Sequence, residues 1–242
     1  MQGKPIRKIH LVAHPRLPHT GRVSHIEIRI ALVLSLLLAG MTPAKAESVT
    51  SGLSVLEAQV TKGRAPKTGY TRAQFGPDLT KSDFDRNGCD TRNDILKRDL
   101  TNLVIKEKTK SCTVLSGTLV DPFSGEKINF LRGVTSSNAV EIDHTVALGN
   151  AWQTGAFLLT SDQRKAFAND PLNLLAVKGK LNSQKRDGDA ATWLPPLKSF
   201  RCDYVSRQIA VKIKHKLWFT APEKEAMIKI LKTCPEKALP TN

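Results

Sequence analysis

The amino-acid sequence predicts an α+β fold, with short strands and amphipathic helices that do not alternate as regular β-α units. Three stretches carry this prediction. "CTVLSGTLVDPFSGEKINFLRG" holds two strand-like runs around a D-P-x-x-G turn, which is a β-hairpin signal. "AVEIDH" and "NLLAV" are short apolar runs of strand length. The last third carries two helical patterns joined by a short turn.

Along the chain, the first element is a leader. "IALVLSLLLAG" (30–40) is an uninterrupted apolar run behind Arg22 and Arg29, and "MTPAKA" after it ends in a small-x-small pattern. This reads as a secretory signal peptide over 1–46, cleaved after Ala46. Its 11 apolar residues fall short of the roughly 20 a membrane span needs. An uncleaved anchor is the alternative. The 29 residues before the run exceed the usual length of a signal's basic segment, and no function is read from them. The mature chain, 47–242, would have 196 residues, enough for one domain with a real core.

Residues 47–70 give a short helical pattern (Leu53, Leu56, Val60), then a polar linker, "KGRAPKTG". "CDTRNDILKRDLTNLVI" reads as one helix with Asp90 or Thr91 at its N-cap. The hairpin and the strand "AVEIDH" follow. "LTSDQRKAFAND" opens with the capping-box pair Thr160 and Gln163 and reads as a short helix. "NLLAV" (173–177) is a strand, and "KGKLNSQKRD" a polar helical turn. A helix from about Phe200 to Leu217 carries Val205, Ile209, Ile213 and Leu217 as one apolar stripe. "TAPE" at 220–223 caps a second helix that runs to about Thr233. No internal repeat or low-complexity tract interrupts this order.

Charge and cysteines narrow the setting. The full chain carries a formal charge of +15. The leader holds seven of the 37 Lys and Arg and one of the 22 acids, so the mature chain keeps +9. A basic secreted domain favours polyanions: nucleic acid, anionic cell wall or a membrane surface. The four cysteines, Cys89, Cys112, Cys202 and Cys234, all follow the leader. An even count outside the cell reads as two disulfides, with three connectivities open. Cys89–Cys112 and Cys202–Cys234 are favoured because each pair brackets a compact local unit, the second at one end of the antiparallel helix pair. Zinc is the weaker reading, because no two cysteines have C-x-x-C spacing.

The candidate site lies at 143–186. Of six histidines, four (His10, His14, His19, His25) fall in the leader, which leaves His144 and His215 for acid–base or metal roles. His215 sits on a lysine-rich helix face (Lys212, Lys214, Lys216) and reads as surface. Asp143 and His144 are adjacent on a strand, where side chains alternate faces. They serve one site only if the strand ends there and the chain bends. Asn173 opens the next strand, and Asn182, Lys185 and Arg186 lie on the polar helical turn after it.

A strand ending in Asp-His, a strand opening with Asn and a helix bearing Asn together resemble the ββα-metal core of HNH (His-Me finger) endonucleases. With "GYTRAQFG", "DFDRNGCDTRNDIL", "DPFSG", "IDHTVALGNAW", "FANDPLNLLAV", "LPP" and the closing Cys, the chain resembles the secreted actinobacterial HNH family. That family is related to the C-terminal nuclease domain of GmrSD-type restriction enzymes. The resemblance runs from Leu53 to Cys234 and departs from the literal H-N-H pattern only in having Asn182 at the third position. It implies an endonuclease domain over 71–242, with flanking helices and a β-hairpin around the core. It also implies single-metal hydrolysis of phosphodiesters that leaves 5′-phosphate ends.

The residue types suit that chemistry. Asp143 and Asn182 offer hard oxygen ligands for one Mg²⁺ or Mn²⁺. His144 would be the general base, since an unperturbed imidazole titrates near pH 6.5. Asn173 would hydrogen-bond across the loop and orient His144. Lys185, Arg186 and Arg92 would contact phosphate. The expected partner is nucleic acid, DNA more than RNA, bound by a protein expected to be monomeric, extracellular and free of the membrane after signal cleavage. No base-reading module such as a zinc finger is present in the sequence.

A second metal pattern competes. Asp83, Asp85, Asn87, Gly88 and Asp94 match positions 1, 3, 5, 6 and 12 of a calcium loop. Asp replaces the usual Glu at position 12, and Asp90 stands where an apolar residue is usual. The other reading is a turn into a helix N-terminus. The rival function is therefore a non-enzymatic, secreted, calcium-stabilised basic module that binds DNA or anionic wall polymer.

Overall fold

The computed structural model describes residues 51–110 and 112–241, and the leader lies outside them. A short helix α1 (Gly52–Glu57) starts the described chain, with Ser51 as its N-cap. The stretch after it, read from sequence as a linker, is extended and fixed to the domain. Lys62 N donates to Phe219 O, Ala65 N to Gln153 O, and the Trp152 indole to Thr68 O. Two 3₁₀ turns (Arg72–Phe75, Leu79–Lys81) lead to α2 (Thr91–Asp99).

The structure corrects the helix expected from Cys89 through Ile105. It stops at Asp99, and Thr101–Ile105 is a strand, β1. The β-branched Thr101, Val104 and Ile105 suit an extended pleat, and β1 pairs antiparallel with β2 (Val114–Val120). β2 pairs with β3 (Lys127–Leu131) across the Asp121–Gly125 turn. There Gly125 takes φ 79°, and Asp121 Oδ2 accepts from Ser124 N and Oγ.

β4 (Val140–His144) and β5 (Leu174–Lys178) form a separate two-stranded antiparallel sheet. Between them lie α3 (Leu148–Gln153) and α4 (Ser161–Asn169), the latter with the complete Thr160/Gln163 capping box. β5 runs directly into α5 (Gly179–Lys185). Among the described residues no strand covers the outer edge of β5. Side chains serve it instead: Asp99 accepts from Ala176 N and Asp121 from Lys178 N.

α6 (Arg201–Lys214) and α7 (Ala221–Leu231) close the fold, α7 with the Thr220/Glu223 capping box and Pro in its first turn. The apolar stripe on α6 is shorter than its spacing suggests. Val205 and Ile209 are fully buried, but Ile213 is 37% exposed. Four-residue steps advance about 40° each around a helix, so the stripe turns out of the core. The lysine face is also corrected. Lys212 is buried against Glu223 (Nζ–Oε2 2.6 Å), and His215 Nε2 lies 2.7 Å from the buried Asp170. Among the described residues three apolar clusters fill the interior: α3, α4 and the end of α6 around Phe75 and Phe167; α1, α6 and α7 around Tyr204; and α2 with both sheets around Leu96 and Phe130. Disulfides join Cys89 to Cys112 and Cys202 to Cys234, the favoured pairing.

Candidate active site

β4 and α5 build one wall of the site by matching two periodicities. Glu141 and Asp143 share a face of β4 two residues apart, and Asn182 and Lys185 share a face of α5 three residues apart. Asn182 Nδ2 donates to Glu141 Oε2 (2.8 Å), and Lys185 Nζ donates to Asp143 Oδ1 (2.7 Å). The helix approaches this closely because it begins with glycine. A Cβ on Gly179 would lie 2.0 Å from Asn138 O.

His144 points to the other side of β4, as strand alternation requires. Its Nε2 donates to Ala168 O at the end of α4 (2.9 Å). That bond places the proton on Nε2 and leaves the lone pair on Nδ1, which has no protein partner among the described residues. Burial pushes the imidazole pKa down to about 3, and the Arg72 and Lys185 charges add to this against the Ala168 carbonyl. The ring is therefore neutral at physiological pH.

The strand ends at His144, and this lets both neighbours serve one space. A cavity of about 90 Å³ is lined by Arg72, Asp143, His144, Ala147, Leu148, Asn182, Arg186 and Asp187, among others. Asn173 hydrogen-bonds through its side chain to Val146 and not to the imidazole. Its Oδ1 accepts from Val146 N (2.8 Å) and its backbone carbonyl from Thr145 N (2.7 Å), so it fixes the chain just after His144.

The structure corrects two of the expected phosphate contacts. Lys185 has no exposed side-chain surface, and its ammonium is used by Asp143 Oδ1 and the His144 carbonyl (2.6 Å). Arg92 donates to the carbonyls of Val140 (2.9 Å) and Ser137 (3.3 Å), at the far end of β4. Arg186 is exposed on the cavity rim. Arg72, from the first 3₁₀ turn, stands on the same rim and was not singled out in the sequence. Its only signal there was its place inside "GYTRAQFG". Ala168, which contributes a backbone carbonyl, has no residue-type signal at all. Gly149 provides a further close approach, since a Cβ there would lie 2.5 Å from the Asp187 carboxylate.

In the 83–94 loop the oxygens serve the turn itself. Asp83 accepts from Gly88 N, Asp85 from Asn87 N and Nδ2, and Asn87 Oδ1 from Cys89 N. Asp94 lies in the first turn of α2 and pairs with Lys97. Among the described residues no group of three or more His, Cys, Asp or Glu is arranged to hold a metal ion. The loop leads into α2, which Asp90 caps.

A two-ligand oxygen site passes a more specific test. Asp143 Oδ2 is buried with no hydrogen-bond partner, the only orphaned carboxylate oxygen on this cavity among the described residues. Asn182 gives its amide nitrogen to Glu141, which leaves Oδ1 as its free donor atom. One carboxylate and one amide oxygen beside a polar cavity fit a hard divalent cation, and the cavity has room for its waters.

Fold and site together place a neutral imidazole beside a polar pocket with arginines at its rim. The family profile of the C-terminal domain of GmrSD restriction endonucleases matches residues 90–230, and the chain belongs to that family. The chain is also 36% identical over 195 residues to an "Uncharacterized secreted protein" of Arthroderma benhamiae, an alignment covering 80% of this chain and 89% of that protein. No solved structure matches it.

Proposed function

We propose that the protein is a secreted, divalent-metal-dependent endonuclease of the HNH type. It hydrolyses phosphodiester bonds of nucleic acid, DNA in preference to RNA, with little sequence selectivity, and leaves 5′-phosphate ends. One observation carries the reading: Asp143, His144 and Asn182 line a single cavity, with His144 Nε2 tied to a carbonyl and Nδ1 left without a partner. Membership in the GmrSD C-terminal domain family supports it.

His144 accepts the proton of the attacking water at Nδ1. Its burial keeps it neutral and ready to do so, and the Ala168 carbonyl fixes its ring plane. Asn173 holds the backbone that follows it. Arg72 and Arg186 face the non-bridging phosphate oxygens. Asp143 and Asn182 would hold one Mg²⁺ or Mn²⁺ through their oxygens, and that ion would supply charge relief on the phosphate and the leaving 3′ oxygen. Secretion rests on the leader pattern and on the secreted relative. No helix among the described residues is long and apolar enough to cross a membrane.

Incubating the purified protein with plasmid DNA, with Mg²⁺ or Mn²⁺ and with EDTA, tests the reading. Nicking and linearisation that need the cation are expected. An intact plasmid under all conditions, with retained binding, would favour a non-enzymatic binding module instead.

A further inference from the structure

We propose that Lys185 is the resident counter-ion of the Asp143 carboxylate. In that role it makes cation binding depend on nucleic acid, so that the divalent ion is held tightly only together with a substrate phosphate. The inference rests on the reading of Asp143 and Asn182 as cation ligands.

A buried carboxylate without a counter-charge is expensive, and Asp143 is only 3% exposed. Lys185 solves this from within the chain. It lies one helical turn beyond Asn182, its side chain is fully buried, and its ammonium donates to Asp143 Oδ1 (2.7 Å) and His144 O (2.6 Å). The bond to the backbone carbonyl matters as much as the ion pair, because it anchors the ammonium at the strand end. One carboxylate oxygen is therefore taken, and Oδ2 alone faces its surroundings without a partner.

The electrostatic consequence follows from the inventory around the cavity. The Asp143–Lys185 pair is neutral as a unit, and Asn182 is uncharged. Glu141 lies behind Asn182 and bonds its amide. Asp187 is paired with Lys67 (2.5 Å). Arg72 and Arg186 add positive charge at the rim. A divalent cation that enters the protein alone meets one oxygen of a neutralised carboxylate, one amide oxygen and the two rim arginines. A phosphodiester brings the missing negative charge and oxygen ligands, and its charge also satisfies the arginines. The cation and the phosphate thus each supply what the other lacks. By linkage, nucleic acid must tighten cation binding by the same factor by which the cation tightens nucleic-acid binding.

The test measures Mn²⁺ binding by the electron paramagnetic resonance of free Mn²⁺, without and with a 16-base-pair DNA duplex. The protein is the His144→Ala variant, which keeps the oxygen ligands and slows cleavage enough for the DNA to persist through the titration. Mn²⁺ should bind the DNA complex about 10-fold more tightly or better, within the usual range of coupling. Lys185→Met in that background should tighten Mn²⁺ binding to the DNA-free protein and shrink the coupling to within about twofold. Lys185→Gln keeps a neutral donor to Asp143 and should behave like the Met variant, because the charge is what matters.

Equal Mn²⁺ affinity with and without DNA overturns the proposal and leaves the nuclease reading standing. Unchanged coupling in Lys185→Gln also overturns it and makes Lys185 a structural pair only. If Mn²⁺ binds in neither state, Asp143 and Asn182 are not ligands, and both readings fall. The first comparison needs no change at Lys185, so it decides the coupling even if a variant does not fold.

Discussion

His144 sits 8% exposed with its Nε2 proton on the Ala168 carbonyl, and burial lowers its pKa to about 3. A solvated imidazole would give a cleavage profile with an acid midpoint near 6.5. The buried ring stays neutral well below that, so the rate at pH 5 should remain within a few-fold of that at pH 7. A midpoint at 6.5 would mean that the ring titrates as if in water. The same shift bears on stability. Between about pH 6.5 and 3 the unfolded chain binds a proton at this ring and the native one does not, so stability is full above 6.5 and falls as pH drops. The loss reaches about 2 kcal/mol at pH 5. Urea midpoints at pH 7 and pH 5, compared between wild type and His144→Ala, measure it, and the variant should show the smaller acid loss. His144→Ala should also cut turnover roughly 10²–10⁴-fold while DNA binding survives, as gel shift alongside single-turnover rates would show.

At the scale of elements, the site depends on how closely α5 lies on β4. Gly179→Ala places a methyl 2.0 Å from Asn138 O, so the start of α5 must move away. Asn182 and Lys185 then lose their partners on β4. Activity should fall at least about 10-fold, with roughly 1–3 kcal/mol of destabilisation by denaturant titration. Wild-type activity in a stable Gly179→Ala protein would show that the spacing is not critical. The α6–α7 pair holds a second buried ion pair, Lys212–Glu223, which does not line the cavity. Burial lowers the Lys212 pKa and raises that of Glu223, and the mutual attraction works against both shifts. Lys212→Met leaves Glu223 buried without its partner, at a cost of about 3–5 kcal/mol. Calorimetry should show a Tm lower by roughly 10 °C, with the specific activity of the folded protein retained.

For the whole molecule, charge and cross-links set behaviour. The mature chain's formal +9 predicts DNA affinity that falls steeply with salt, by about 0.9 in log–log slope for each phosphate neutralised. Fluorescence anisotropy between 50 and 200 mM salt, a range over which such contacts lose orders of magnitude, measures this, and a flat response would exclude electrostatic binding. The disulfides tie the entry of α2 to the start of β2 and the start of α6 to the end of α7, across sequence separations of 23 and 32 residues. Each closes a loop long enough to contribute about 3–4 kcal/mol through the unfolded state.

Periodicity and composition determined much of the architecture by themselves. The hairpin, β4, β5, the capped α4 and α7 and both disulfides were legible because each rests on local chemistry: β-branched runs, capping pairs, turn residues and cysteine placement. The adjacency of Asp143 to His144 and the spacing to Asn173 and Asn182 were legible for the same reason. Where local signals conflicted they misled, as at Thr101–Ile105, whose strand state depends on the pairing β2 supplies. Only the tertiary structure decided which atoms face the cavity. Lys185 was read as a phosphate contact, yet the close approach of α5 to β4 buries it on Asp143. Arg72 reaches the rim from a distant turn, and a backbone carbonyl at Ala168 fixes the tautomer of His144. Neither has a signature at the level of residue types. A sequence specifies which groups are present, and the approach of one element to another specifies which of them are dry, paired and left free.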